Sequence, residues 1–159
     1  MVIDILGDKA GQAYAEARRI CVELGHTVTG GSHFVTDLAI APLLTTKLSE
    51  EELAAPRIGT LIFHPSPLPW GRGAASIRHA YKRGEPITAA TWFWANDRYD
   101  AGDICEQEII AISHSMRPRE FYEAHIIPAM GRTLRRALTA IERGYIRAVP
   151  QVEEYSSYD

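Results

Sequence analysis

The residues best suited to chemistry are a histidine and an aspartate that each follow an apolar, strand-like run. His64 directly follows the run 60–63, and Asp100 lies in the polar turn 96–102 after a run rich in β-branched and aromatic residues, 88–95. Open α/β sheets place their ligand sites in loops at the carboxyl ends of strands. We therefore expect the two turns to converge in a small α/β enzyme that uses a histidine and a carboxylate.

The segment that begins at His64 is a rigid loop. Residues 64–73 read HPSPLPWGRG, and three prolines and two glycines in ten residues exclude a regular helix or strand. A helix is predicted next, over 75–83, and Gly84 ends it. Its basic residues are interpreted as a solvated face: Arg78, His79, Lys82 and Arg83.

The remaining chain alternates buried-strand runs with helical patterns. Strands are further predicted over 2–6, 26–29, 38–43 and 104–112. Helices are predicted over 10–24, over a short segment that Ser49 caps and Pro56 ends, and over 118–143 with a kink at Pro128. This order predicts a mostly parallel α/β sheet of about six strands with an antiparallel hairpin addition. The tail after Pro150 is expected to be peripheral.

Length and composition favour one domain of a cytoplasmic protein. The chain has 159 residues, 46% hydrophobic and 23% charged, and a net charge of −3, so neither nucleic acid nor a membrane surface is the expected partner. It has no 18-residue apolar stretch and no signal-peptide pattern at the start. Cys21 and Cys105 match no metal-ligand spacing, so we expect free thiols, a reducing compartment and no metal.

Two loops and their flanking elements resemble the catalytic domain of the folate-dependent formyltransferases. HPSPLPWGRG at 64–73 is similar to the family's H-x-S-L-L-P-x-x-R-G loop, and DRYDAGDICEQ at 97–107 is similar to its D-x-G-D/A-x-x-x-Q element. The register runs without a gap from Asp37 to Gln107. Further matches are DLAIAP at 37–42, PRIG at 56–59, RGAASIRHAYKRGE at 72–85, Gly131, ERG at 142–144 and Gln151. The family includes methionyl-tRNA formyltransferase, sugar N-formyltransferases and glycinamide ribonucleotide formyltransferase.

The resemblance implies a Rossmann-like formyltransferase fold and transfer of a formyl group from 10-formyltetrahydrofolate to a small-molecule amine. It implies that His64 and Asp100 are catalytic: the protonated imidazole holds the tetrahedral oxyanion, and Asp100 supports that charge and relays a proton. Further substrate or folate contacts are expected at Leu43, Leu44, Ser66, Asn96, Tyr99, Gly102 and Gln107. The resemblance leaves three classes of acceptor: an amino sugar, an amino acid and a nucleotide. It also leaves open whether the protein forms a homo-oligomer.

Two features depart from the family pattern. The family carries an asparagine two residues before the histidine, as a second oxyanion donor, and this chain has Ile62 there. Losing one such donor lowers kcat by about 10²–10³, so we expect a slow or altered enzyme. Only 63 residues precede His64. We therefore expect one domain over 1–159 that is shortened before Asp37 by a strand–helix unit and lacks the C-terminal substrate domain of methionyl-tRNA formyltransferases.

Three functions fit this pattern. The leading one is an N-formyltransferase. The second is a formyltetrahydrofolate hydrolase, in which water replaces the amine. The third is a non-catalytic folate- or nucleotide-binding protein, which Ile62 and the short N-terminal half favour and which the His64–Asp100 pair argues against. Aminoacyl-tRNA is the less favoured acceptor because the chain is acidic and the tRNA-binding domain is absent.

Overall fold

One mixed, six-stranded sheet forms the framework of the computed structural model, which describes residues 1–30 and 35–159. The strands are β1 Val2–Ile5, β2 Thr27–Thr29, β3 Leu38–Ala41, β4 Gly59–His64, β5 Ile87–Trp94 and β6 Ile104–Ala111. Their order is β2-β1-β3-β4-β5-β6. The first four strands are mutually parallel, and β5 and β6 add an antiparallel hairpin. The predicted fold class is confirmed. The segment predicted to be shortened, between Gly30 and Asp37, lies partly outside the described residues.

Five helices connect or cover these strands within the described part of the chain. They are α1 Gln12–Glu23, α2 Glu50–Ala54, α3 Ser76–Lys82, α4 Pro118–Phe121 and α5 Ile127–Glu142. The N-terminus of α2 carries the predicted cap: the Ser49 hydroxyl accepts from the Glu52 backbone N–H, and the Glu52 carboxylate accepts from the Ser49 N–H. None of the helices in the described ranges has the length and apolar character needed to cross a bilayer.

The prediction of one kinked helix over 118–143 needs correction. A π-helical turn at Tyr122–Ile126 separates α4 from α5, and the Ile127 N–H donates to the carbonyl of Tyr122, five residues earlier. Pro128 explains the break, because it has no N–H to donate and its ring clashes with the carbonyl four residues before it. The wider π turn accommodates this clash and inserts one residue into the helical register.

The core lies between the sheet and the layer formed by α1 and α5. Leu61 and Phe63 of β4 are buried there with Trp92, whose indole N–H donates to the carbonyl of Met130 at 3.2 Å. Side chains alternate between the two faces of a strand. Ile62 and His64 therefore point to the opposite face, and this alternation presents both to the loops at the carboxyl end of β4.

Candidate active site

The structure brings His64 and Asp100 together. His64 is the last residue of β4 and only 8% exposed, and its Nδ1 lies 3.7 Å from Asp100 Oδ2. That distance is longer than a hydrogen bond. The other ring nitrogen, Nε2, lies 2.7 Å from the carbonyl oxygen of Gly71. Since a carbonyl only accepts, Nε2 carries a proton in this arrangement, and Nδ1 is the ring atom that faces the carboxylate.

Asp100 reaches His64 by a different route from the one that the strand pattern predicts. Strand β5 is antiparallel to β4, so its carboxyl end lies at the opposite edge of the sheet: Trp94 pairs with Leu61, whereas Thr91 pairs with His64. The turn after β5 therefore begins three residues short of His64, roughly 10 Å along the strand. Residues 96–100 must run back over β4 to deliver the carboxylate.

The loop after His64 fixes both partners through its backbone. The Gly73 N–H donates to Asp100 Oδ2 at 2.8 Å, so one loop holds the histidine through Gly71 and the aspartate through Gly73. Both glycines have a positive φ, +78° and +98°, which disfavours other residues. At Gly73 a Cβ would lie 2.9 Å from the backbone oxygen of Asp159.

The turn that carries Asp100 is sterically demanding. Asp100 itself adopts a left-handed conformation with φ of +52°, which aspartate and asparagine tolerate better than most residues. At Gly102 a Cβ would lie 1.6 Å from the carbonyl oxygen of Trp94, so only glycine fits. The role of Gly102 in the family motif is therefore to let the turn pass close to β5.

A buried arginine ties the two loops together. Arg72 is fully buried, donates to Gln151 Oε1 from Nε and Nη2, and pairs with Glu153 at 2.9 Å. Gln151 Nε2 in turn donates to the carbonyl oxygens of Asp100 and Gly102, at 2.9 and 2.8 Å. The ion pair with Glu153 raises the pKa of Arg72 above its usual value. The guanidinium thus positions the turn through one carboxamide.

The tail after Pro150 corrects the prediction that it is peripheral. Its backbone runs beside the loop: Arg72 N donates to Ser157 O at 2.9 Å, and Asp159 N donates to Arg72 O at 2.8 Å. The Ser157 hydroxyl also accepts from Gly71 N at 2.8 Å. These bonds satisfy the backbone of a loop that has no regular structure. The similarity of Gln151 to the family pattern was the one signal in the sequence for this role.

A cavity of about 980 Å³ opens onto the His64–Asp100 pair. Of the seven predicted contact residues, four line it: Leu43, Leu44, Asn96 and Tyr99. Ile62, at the position of the family asparagine, lines it as well. The other three predicted contacts do not line it and contact the surrounding structure instead. Ser66 donates to the carbonyl of Trp70, Gln107 donates to Leu68 O and Thr91 Oγ1, and Gly102 packs against β5.

The cavity also has lining residues that the sequence analysis did not assign to a site. They are Arg78, Arg98, Arg117, Arg119, Tyr122 and Tyr158, among others. Burial raises the pKa of the Tyr122 phenol, so this side chain keeps its proton at neutral pH. Nothing in the local sequence distinguishes these arginines from ordinary surface arginines, because only the fold brings 78 and 117–119 to one edge of the sheet.

The two cysteines lie away from this chemistry. Both are buried free thiols, and burial raises the pKa of Cys21 to about 12 and that of Cys105 to about 11. A thiol that keeps its proton is neither a nucleophile nor a metal ligand. No cluster of three or more histidine, cysteine or acidic side chains that could hold a metal occurs among residues 1–30 and 35–159.

Known proteins resemble this chain in both sequence and structure. The family model for formyl transferase matches residues 25–135. Cytosolic 10-formyltetrahydrofolate dehydrogenase from Xenopus tropicalis is 29% identical over 123 residues, which cover 77% of this chain and 14% of that protein. The chain therefore spans a small part of the length of this curated relative.

Solved structures share the whole fold. HypX from Aquifex aeolicus, crystallised in complex with tetrahydrofolic acid, superposes with a TM-score of 0.82 at 24% identity over 99% of this chain and 29% of HypX. An N-formyltransferase from Helicobacter canadensis, in complex with folinic acid and dTDP-3-aminofucose, has a TM-score of 0.76 at 13% identity over 99% of this chain and 69% of that one. The family model covers more than half of the chain and includes both His64 and Asp100, and the chain therefore belongs to the formyl transferase family.

Proposed function

We propose that this protein transfers a formyl group from 10-formyltetrahydrofolate to a small amine, with His64 and Asp100 as its catalytic residues. The observation that carries this proposal is the 3.7 Å approach of His64 Nδ1 to Asp100 Oδ2 beside the large cavity. Family membership supports the reaction type. The folate ligands of HypX and of the Helicobacter canadensis enzyme support the class of donor.

The donor would occupy the end of the cavity formed by the segment after β3 and the turn after β5. Leu43, Leu44 and Leu48 provide an apolar surface there, and Tyr99 adds an exposed ring. Lys47 Nζ lies 5.6 Å from the centre of that ring. A flat pteridine ring suits an apolar slot with aromatic and backbone polar groups at its rim.

In this proposal the two residues have separate tasks. The acceptor nitrogen attacks the formyl carbon, a C–N bond forms, and the carbonyl oxygen becomes an oxyanion. Collapse of this intermediate breaks the bond to the folate nitrogen, which takes up a proton while the amine loses one. Because Nε2 donates to the carbonyl of Gly71, the donor to the oxyanion would be Nδ1 of the doubly protonated imidazolium. Asp100 lies beside it to accept the amine proton, directly or through water.

Ile62 sets the expected rate. It lies on β4 two residues before His64, lines the cavity and offers no hydrogen-bond donor. Ser66 does not replace the missing donor, since its hydroxyl already donates to the carbonyl of Trp70 at 2.8 Å. We therefore expect transfer to be slower than with two donors by about 10²–10³.

Single-turnover formyl transfer tests the proposal. Wild-type protein loaded with 10-formyltetrahydrofolate is mixed with a panel of amines and, separately, with water alone. His64→Ala and Asp100→Asn should each lower the rate by a factor on the order of 10²–10⁴. His125→Ala is the matched control, since His125 is exposed and does not line the cavity.

The outcomes separate the alternatives. Faster formyl loss with an amine than with water supports a transferase. Equal loss with and without amines, abolished by His64→Ala, would make the protein a hydrolase. Saturable binding of 5-formyltetrahydrofolate without any formyl loss would make it a binding protein. Absence of folate binding at millimolar concentration would contradict the transferase and the hydrolase, and of the three alternatives it would leave only a nucleotide-binding protein.

A further inference from the structure

We infer that Gln107 and Thr91 are positioning residues, which hold the loop 64–73 so that its Gly71 carbonyl keeps the imidazole of His64 in place for the reaction. This inference rests on the proposed function, because it concerns the residue that would bind the oxyanion. Neither side chain belongs to the described lining of the cavity. The two residues would therefore act through the loop and not through contact with a ligand.

His64, Thr91 and Gln107 form one row across three neighbouring strands. His64 of β4 pairs with Thr91 of β5, and Thr91 pairs with Gln107 of β6. Directly paired residues of antiparallel strands lie side by side on one face of the sheet. The Thr91 hydroxyl donates to the carbonyl of Ser66 at 2.7 Å. Gln107 Nε2 donates to the carbonyl of Leu68 at 3.3 Å. The loop that follows His64 thus folds back over the row and binds to it.

Chemistry fixes the direction of each hydrogen bond in this network. A carbonyl oxygen only accepts, so the single proton of the buried Thr91 hydroxyl goes to Ser66. The hydroxyl oxygen must then accept from Gln107 Nε2, which lies 2.9 Å away. The carbonyl of Leu68 also requires a donor, and a carboxamide nitrogen carries two protons. Glutamine supplies both bonds, whereas an ionised glutamate of the same shape supplies neither.

The loop connects this support to His64. The Ser66 hydroxyl donates to the carbonyl of Trp70 at 2.8 Å, one residue before Gly71. The carbonyl of Gly71 accepts from His64 Nε2 at 2.7 Å. Three residues of the loop are prolines without an N–H, so the loop forms few bonds within itself. The position of the Gly71 oxygen therefore depends on donors that lie beneath the loop.

Other supports of the loop remain when this pair is changed. The Ser76 hydroxyl donates to the carbonyl of Pro65 at 3.0 Å, and the Ser157 hydroxyl accepts from Gly71 N at 2.8 Å. Variants of Thr91 and Gln107 should therefore fold and keep the loop attached at both ends. The expected defect is a weaker bond between Gly71 and the imidazole.

Exchange of the His64 Nε2 proton with solvent tests the inference without any activity. In protein labelled with ¹⁵N in its histidine rings, this proton's resonance is identified by its loss in His64→Ala. At a pH well above the usual pKa of glutamate, Thr91→Val and Gln107→Glu should each make exchange at least about tenfold faster, which corresponds to about 1.4 kcal/mol. Thr91→Ser keeps the hydroxyl and should exchange like the wild type. Thr133→Val is the matched control, because the Thr133 hydroxyl is equally buried and donates within α5.

A second measurement connects the imidazole position with the reaction. The single-turnover rate of formyl transfer should fall at least about tenfold in Thr91→Val and in Gln107→Glu. The affinity for 5-formyltetrahydrofolate should stay unchanged, since neither residue is among the described residues that line the cavity. Thr91→Ser and Thr133→Val should transfer at the wild-type rate. Each variant is measured well below its own Tm, so that a general loss of stability does not contribute.

Several results would overturn the inference. They are wild-type exchange in both Thr91→Val and Gln107→Glu, an equal acceleration in Thr133→Val, and fast exchange in the wild type itself, which would contradict the bond to Gly71. Accelerated exchange with an unchanged transfer rate would show that the pair holds the imidazole but does not position it for the reaction. If the wild type transfers no formyl group to any amine, the proposed function fails, and the exchange rates still decide whether the pair holds His64.

Discussion

Arg72 donates two hydrogen bonds to the side-chain oxygen of Gln151, at 3.2 and 2.9 Å, across 79 residues of sequence. The nitrogen of the same carboxamide donates to the backbone carbonyls of Asp100 and Gly102. One glutamine therefore connects the loop of His64 with the turn of Asp100. The turn that positions the Asp100 carboxylate is thus held by a residue of the C-terminal tail, through backbone carbonyls rather than through the carboxylate or the imidazole.

This relationship predicts the effect of Gln151→Ala. The substitution leaves two turn carbonyls and a buried guanidinium short of partners, which destabilises a fold by about 1–3 kcal/mol. For a chain of this size, each kcal/mol lowers Tm by roughly 2–4 °C. We expect a lower Tm and a lower single-turnover rate well below that Tm. Gln12→Ala, at the exposed start of α1, is the control. Full activity in Gln151→Ala would show that the turn holds Asp100 without the tail.

Two substitutions at Asp100 separate the effect of its charge from the effect of its left-handed backbone conformation. At φ of +52°, alanine is strained by about 1–2 kcal/mol, whereas asparagine tolerates this conformation and can still accept from Gly73 N. We expect Asp100→Asn and Asp100→Ala to lower the single-turnover rate equally, and only Asp100→Ala to lower the Tm as well. Thermal unfolding and single-turnover rates of both variants provide the measurement. An active Asp100→Asn protein would remove the carboxylate from the mechanism.

Ile62→Asn should produce opposite effects on rate and stability. A carboxamide at this position can donate to the oxyanion, so transfer should become faster by a factor that approaches 10²–10³. An incompletely paired amide in the half-buried site should lower the stability by about 1–3 kcal/mol. Ile62→Leu keeps the apolar volume without a donor and should leave the rate unchanged. A slower Ile62→Asn enzyme would indicate a site rebuilt around isoleucine.

Glu108 gives a pH-dependent prediction about stability. Its carboxylate pairs with Arg132 at 2.6 Å and Arg136 at 3.1 Å, and the bond from Arg132 is the main cause that lowers the pKa of Glu108 below its usual 4.5. A lowered folded-state pKa contributes stability above pH 4.5 that is lost as the pH falls through the folded value. Glu108→Gln should therefore lower Tm at pH 7 and match the wild type well below pH 4.5.

At neutral pH the free energy of unfolding of Glu108→Gln should be lower than that of the wild type by up to about 1 kcal/mol, because Arg132 and Arg136 are both about half exposed. Exposed Glu154, which forms no ion pair with the described residues, supplies the control Glu154→Gln. A difference in Tm between the wild type and Glu108→Gln that stays constant from pH 7 to well below pH 4.5 would show that the ion pairs of Glu108 are not its cause.

The sequence by itself determined the local features of this protein. Apolar runs and runs rich in β-branched and aromatic residues predicted all six strands of the described sheet, and Ser49 followed by Glu50–Glu52 predicted the cap of α2, because such preferences act between residues a few positions apart. The two loop motifs predicted the family, which the family model confirms. Ile62 was recognisable as a departure because Pro56–Gly59 and His64 fix the register around it.

The tertiary structure alone decided how the loops meet. Because β5 is antiparallel, Asp100 starts from the edge of the sheet opposite to His64, and no local pattern states that residues 96–100 run back over β4. The bond between Arg72 and Gln151, and the gathering of Arg78 with Arg117 and Arg119, join residues far apart in sequence. Such contacts depend on the packing of the whole chain. The positions of these arginines at one cavity, and the contacts of Gln151, therefore could not be predicted from the sequence alone.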